Sequence, residues 1–166
     1  KENDALKRVT KQAREAIEKT LNQEKVDVQI ILEIRSLFNQ LFDVDKHYKR
    51  KEYLLFPYLE KKGITGPPAV MWGKHDEIRE QLKGSIEVLQ ITELPLEEWR
   101  AAAQMVLLPA LNAIDDMVVK EEQILFPMSL DALSEGEWYE IDHQTPDIGF
   151  CLYDPPVQWK PNKAQA

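Results

Sequence analysis

The sequence predicts an all-α fold, an antiparallel up-down four-helix bundle with an extended C-terminal tail. Three observations predict it. Four long segments carry apolar residues at three- and four-residue spacing, which is the period of one helix face. Short Gly- and Pro-containing breaks separate the segments, and short connections favour antiparallel neighbours. No credible period-two strand precedes residue 148.

The first helix is predicted over about residues 2–21, with Leu6, Val9, Ala13, Ile17 and Leu21 on one stripe. No Ser, Thr or Asp cap precedes it, so the segment reads as the middle of a helix and the native chain is expected to begin further upstream. The second is predicted over about residues 26–61, with a stripe of Ile30, Ile34, Leu37, Phe38, Leu41, Val44, Tyr48 and Leu55. Pro57 is expected to kink or end its last turn, and Gly63 to stop it from the C′ position. The third opens after Gly66-Pro67-Pro68 and carries Met71, His75, Ile78, Leu82, Ile86 and Leu89. The fourth runs from near Pro95 to about Met128. Glu97 and Glu98 lie in its first turn, where the helix dipole favours acids, and Pro109 is expected to bend it.

Residues 1–133 are therefore assigned to the bundle. Residues 134–166 read as a short amphipathic helix around Trp138 and Tyr139, then a linker punctuated by Pro146, Pro155, Pro156 and Pro161. Its apolar residues, among them Phe150, Leu152, Tyr153 and Trp159, are too many for a free linker. The tail is expected to pack on the bundle or on a following domain.

The chain has 166 residues, enough for one domain with a sizeable core. Its net charge of −8 argues against nucleic acid as a partner, because phosphate binding needs a basic face. No apolar run approaches 18 residues, so no membrane span is expected. The N-terminus lacks the pattern of a signal peptide, and a cytoplasmic location follows as the expectation. One cysteine, Cys151, excludes an internal disulfide. Only three histidines are present, His47, His75 and His143, so any imidazole site uses few of them.

Two segments align across 70 residues: His47 to Pro57, ending Leu-Leu-Phe-Pro, and Met117 to Pro127, ending Ile-Leu-Phe-Pro. Either Pro stops two helices alike, or helices two and four present equivalent residues to one central site. Helical phase sharpens the second alternative. His75 lies four residues after Met71 and three before Ile78, on the stripe itself. Glu52 falls four beyond Tyr48, and Glu121 four beyond Met117 and seven beyond Ile114. His47 sits at the edge of the second helix's face, near Val44. A carboxylate facing an apolar interior is costly unless it is paired or metal-bound. Carboxylates and imidazoles from several helices are how bundles build metal sites, and such donors suit iron or manganese, with zinc a lesser choice. The bland alternative pairs Glu52 or Glu121 with a base such as Lys51, Lys74 or Lys120. His143 reads as a surface residue and Cys151 as a buried thiol in the tail.

His47 with Leu55-Phe56-Pro57, the Trp72-Gly-Lys-His75-Asp-Glu-Ile-Arg79 segment, and Lys120-Glu121-Glu122-Gln-Ile-Leu-Phe-Pro127 together resemble the hemerythrin-like (HHE cation-binding) domain. The resemblance covers roughly residues 2–140 and is nearest the prokaryotic family in which this domain precedes a PAS sensor domain. Residues 137–141 and 149–152 look like that family's passage into its PAS domain. The resemblance implies an up-down bundle holding non-haem iron in a mononuclear or dinuclear centre, with His47, Glu52, His75 and Glu121 as metal ligands. The family pattern has a Glu where Lys51 stands and a His where Met117 stands, and its helix-one His would lie before Lys1.

On these grounds the expected function is a cytoplasmic, iron-binding sensory module. It would bind O₂, NO or another small oxidant and signal to a C-terminal PAS-like domain. A homodimer is left open; nucleic acid and membrane are not expected partners. The alternative is a metal-free structural or regulatory bundle with a degenerate site. An enzyme of oxidation or peroxide chemistry comes third. The sequence offers no nucleophile, no acid–base pair apart from the metal candidates, and no Gly-rich phosphate loop.

Overall fold

Four apolar stripes meet along one axis and leave their charged faces outside. The computed structural model describes residues 2–91 and 94–148. Five helices run through them, and no strand occurs among the described residues. Helix α1 is Glu2–Leu21. Helix α2 spans residues 28–61 and is interrupted by a tight turn at Phe42 and Asp43. Helix α3 is Gly66–Leu89, α4 is Leu96–Ala132 and α5 is Glu135–Ile148.

In the bundle α1 packs on α2 and α4, and α3 packs on α2 and α4. The pairing is antiparallel. Lys7 meets Glu122, Thr10 and Arg14 meet Asp115, and Thr20 meets Trp99, so the register of α1 runs opposite to that of α4. Most of the predicted stripe forms the core, with Leu21, Ile30 and Ile86 only half-buried and with Phe56, Leu59, Trp99 and Ala103 added to it. Leu6 and Ile17, Ile34, Phe38 and Leu41, Ile78 and Leu82, and Leu107, Leu111 and Ile114 are all buried. Each such side chain contributes about 1.5–3 kcal/mol when fully removed from water. Helix α4 is long and apolar enough to cross a membrane by length and composition alone. Its inner stripe faces α1 and α3, and Leu107, Leu111, Ile114, Val118 and Leu125 are buried there, while Met105, Val119, Ile124 and Leu130 are exposed.

The ends follow local chemistry. The Asp27 carboxylate accepts a hydrogen bond from the Gln29 N–H at 2.9 Å and caps α2. At the other end Gly63 takes φ +82°, the Ile64 N–H donates to the Leu59 carbonyl and the Gly63 N–H to that of Glu60. This is a Schellman stop. A Cβ on Gly63 would meet nothing within 4 Å, so only the left-handed backbone resists a side chain there. Gly63→Ala is expected to cost about 1 kcal/mol and lower Tm by about 2–4 °C. An unchanged Tm would count against this turn.

Three findings depart from expectation. Pro57 neither ends nor breaks α2, which continues to Lys61. Pro57, Pro109 and Pro127 each follow a five-residue π-helical turn: Lys51–Leu55, Ala103–Leu107 and Glu121–Leu125. In each, the residue before proline donates its N–H five residues back, from Phe56 to Lys51, Leu108 to Ala103 and Phe126 to Glu121. The wider turn accommodates the missing proline N–H and moves the carbonyl away from the ring. Second, α5 is a 14-residue helix that runs through Pro146, longer than the short piece expected. It lies against α2, over Val44–Arg50 and Lys51–Leu55. Third, α4 extends past Met128 to Ala132. The predicted extended tail, with Cys151 and its apolar residues, lies outside the described residues.

Candidate metal centre

All four residues singled out by phase are buried: His47 and Glu52 on α2, His75 on α3 and Glu121 on α4. They gather in two ion-pair groups joined through Lys51. His143, by contrast, is exposed and stacks on Tyr139, and Glu122 is exposed and pairs with Lys7 at 3.1 Å.

The first group joins α1, α2 and α4. His47 Nε2 lies 2.8 Å from Glu121 Oε2, and its Nδ1 lies 2.6 Å from Glu2 Oε2 and 3.1 Å from Arg50 Nη2. Arg50 also pairs with Glu2. The Lys51 ammonium donates to Glu121 Oε1, and both partners are almost without exposure, at 4% and 1%. The second group joins α2 and α3. Arg79 grips Glu52 with two parallel bonds, Nη1 to Oε2 and Nη2 to Oε1, each 2.9 Å. Its Nε donates to Asp45 at 2.6 Å and its Nη1 to Asp76 at 2.9 Å. His75 Nδ1–H donates to Glu52 Oε2 at 2.8 Å. The His75 ring is stacked by Tyr48, with centroids 4.1 Å apart, and by Phe56 at 6.0 Å.

Electrostatics couples the two groups. Burial would push the Glu121 carboxyl up, but His47 and Lys51 together hold it well below the usual carboxylate range. Burial likewise opposes ionisation of Glu52, and hydrogen bonds from His75 and Arg79 outweigh it and keep the carboxyl low. Burial lowers His75 from 6.5 to about 4, against the pull of Glu52, so its imidazole is neutral. The Lys51 charge acts on Glu121, Glu52 and His75 alike.

Donor type suits iron or manganese. The arrangement already engages those donors with the chain's own groups. Each Glu121 and Glu52 oxygen faces a cation or an imidazole, and both His47 nitrogens are engaged. Among the described residues, no group of three or more His, Cys, Asp or Glu side chains is placed to hold a metal ion. One donor stands apart. His75 Nε2 is buried with no hydrogen-bond partner. With Nδ1–H given to Glu52, Nε2 carries the lone pair, and a carboxylate behind the ring is how proteins orient a ligating imidazole. The expected ligand set is thus buried as predicted, while His47, Glu52 and Glu121 are committed to ion pairs, the bland alternative for the carboxylates.

The residues that sequence reasoning passed over are Glu2, Arg50 and Arg79. Arg79 was legible in part: it follows His75 by four residues and so shares its face of α3. Met117, where the resemblance leads one to expect a histidine, is buried in the core.

No curated protein matches the chain. The family model of the hemerythrin HHE cation-binding domain matches residues 1–129.

Proposed function

Since the chain belongs to the hemerythrin HHE cation-binding domain family, we propose that its buried α2–α3–α4 cluster is a non-haem iron site serving a sensory module. The observation that supports it is the His75 imidazole, neutral, oriented by Glu52 and carrying a partnerless Nε2 in the bundle interior. His75, His47 and Glu121 would hold the metal, and Glu52 would serve as a terminal ligand or keep its present role of orienting His75. Bound iron with an open position supplies affinity for O₂, NO or another small oxidant. The chain's own part is to bury the donors, to fix the His75 tautomer through Glu52, and to exclude water with Tyr48 and Phe56. Helix α5, resting on the stretch of α2 that carries His47 and Glu52, would pass a change in helix packing to a C-terminal PAS-like domain.

The test is metal analysis of anaerobically purified protein. About one or two iron atoms per chain are expected, with loss of most of them in His75→Ala. Full iron content in His75→Ala would remove His75 from the site. A second reading has a specific observation behind it: every oxygen of Glu52 and Glu121 is already engaged within the chain. In that reading the bundle is metal-free and structural or regulatory, and chelation leaves its Tm unchanged.

A further inference from the structure

The Lys51 ammonium has no place in a site made only of anionic and neutral donors. It extends from the first residue of a π-helical turn of α2 and reaches Glu121 across the bundle on α4. It lies 4.7 Å from the centroid of the Tyr48 ring, whose face stacks on His75. Its charge acts on Glu121, Glu52 and His75, three of the four candidate ligands. A buried ammonium is expensive to desolvate and is held there by its carboxylate partner. A metal cation drawn to the same carboxylates would meet a positive charge already at close range.

We propose that Lys51 is a tethered internal cation that competes with metal for Glu121 and sets the threshold for loading the centre. Metal enters only as the Lys51 side chain withdraws. Four methylenes give that side chain the reach to leave without unfolding α2, and the lysine is a point charge free of fixed geometry. Arg79 differs, because its bidentate grip on Glu52 and its bonds to Asp45 and Asp76 fix it in place. Lys51 is therefore the yielding cation of the cluster, and the inference deepens the iron-site reading on which it rests.

The experiment uses the full chain, stripped with chelator and titrated anaerobically with Fe(II) and, separately, Mn(II). Bound metal is read by equilibrium dialysis and elemental analysis. Lys51→Gln removes the competing charge, and Lys51→Glu also supplies a carboxylate. Lys51→Met, an apolar replacement of similar length, guards against a variant that fails to fold, and circular dichroism checks each protein. Lys51→Gln and Lys51→Met are expected to bind about tenfold more tightly than the parent, and Lys51→Glu more tightly still. Equal, stoichiometric binding by parent and all variants would overturn the role of Lys51 while leaving the iron site standing. Absence of binding by folded parent and folded variants would overturn the iron site itself.

Discussion

Glu121→Gln is expected to destabilise the bundle by about 3–5 kcal/mol, because it removes the carboxylate in direct contact with the buried Lys51 ammonium and leaves only the more distant charge of Glu52. The amide keeps the volume of the side chain, so the loss is electrostatic rather than a cavity effect. For a chain of this size the fall in Tm is about 10 °C or more. The pair itself need not be a net gain. Replacing Glu121 and Lys51 together with apolar residues is expected to recover most of the stability, since neither charge then has to be desolvated. A double-mutant cycle by urea unfolding reads the coupling directly. A single-variant loss below about 0.5 kcal/mol, the scale of ordinary surface changes, would show that the two charges do not share the interior.

The second large effect is on acid stability. His75 titrates near 6.5 when unfolded and near 4 in the bundle. Between those values the unfolded chain takes up a proton that the folded chain refuses, so stability rises with pH. The His75 contribution is present in full above pH 6.5 and is lost as pH falls towards 4. Chelated protein is expected to lose about 2 kcal/mol between pH 7 and pH 5 from this group. Glu52 and Glu121 extend the loss. Both carboxyls are held below their ordinary value of 4.5, so their stabilisation is present above that pH and drains away beneath it. Urea unfolding at the two pH values checks the first part. The same drop in His75→Phe would place the titration elsewhere.

The helical architecture was legible because a stripe repeats over many turns, and an error at one residue leaves the period intact. Gly63 was legible because a helix stop is local chemistry. The burial of Glu52, His75 and Glu121 could be counted from Tyr48, Met71 and Met117 along single helices, whereas His47 read only as an edge residue near Val44. Their partners could not. Whether Glu121 faces a metal or Lys51 depends on how α4 is rotated against α2, and the apolar period fixes that rotation only to within a fraction of a turn. Glu2 and His47 are 45 residues apart, and Arg79 and Glu52 are 27 apart. The π-helical turns escaped for a different reason. Proline signals that the i−4 bond is lost, but widening, bending and ending the helix are competing responses, and tertiary packing selects among them.

The stretch of α2 from Val44 to Leu55 is a shared wall, with the ion-pair cluster on one side and α5 on the other. Sharing makes the two sides answerable to each other. If occupancy of the cluster displaces that wall and so weakens the seating of α5 by some factor, then anything that lifts α5 must weaken the cluster's hold on its occupant by the same factor. A device of this kind runs in both directions, and it can be driven from the α5 side as readily as from within.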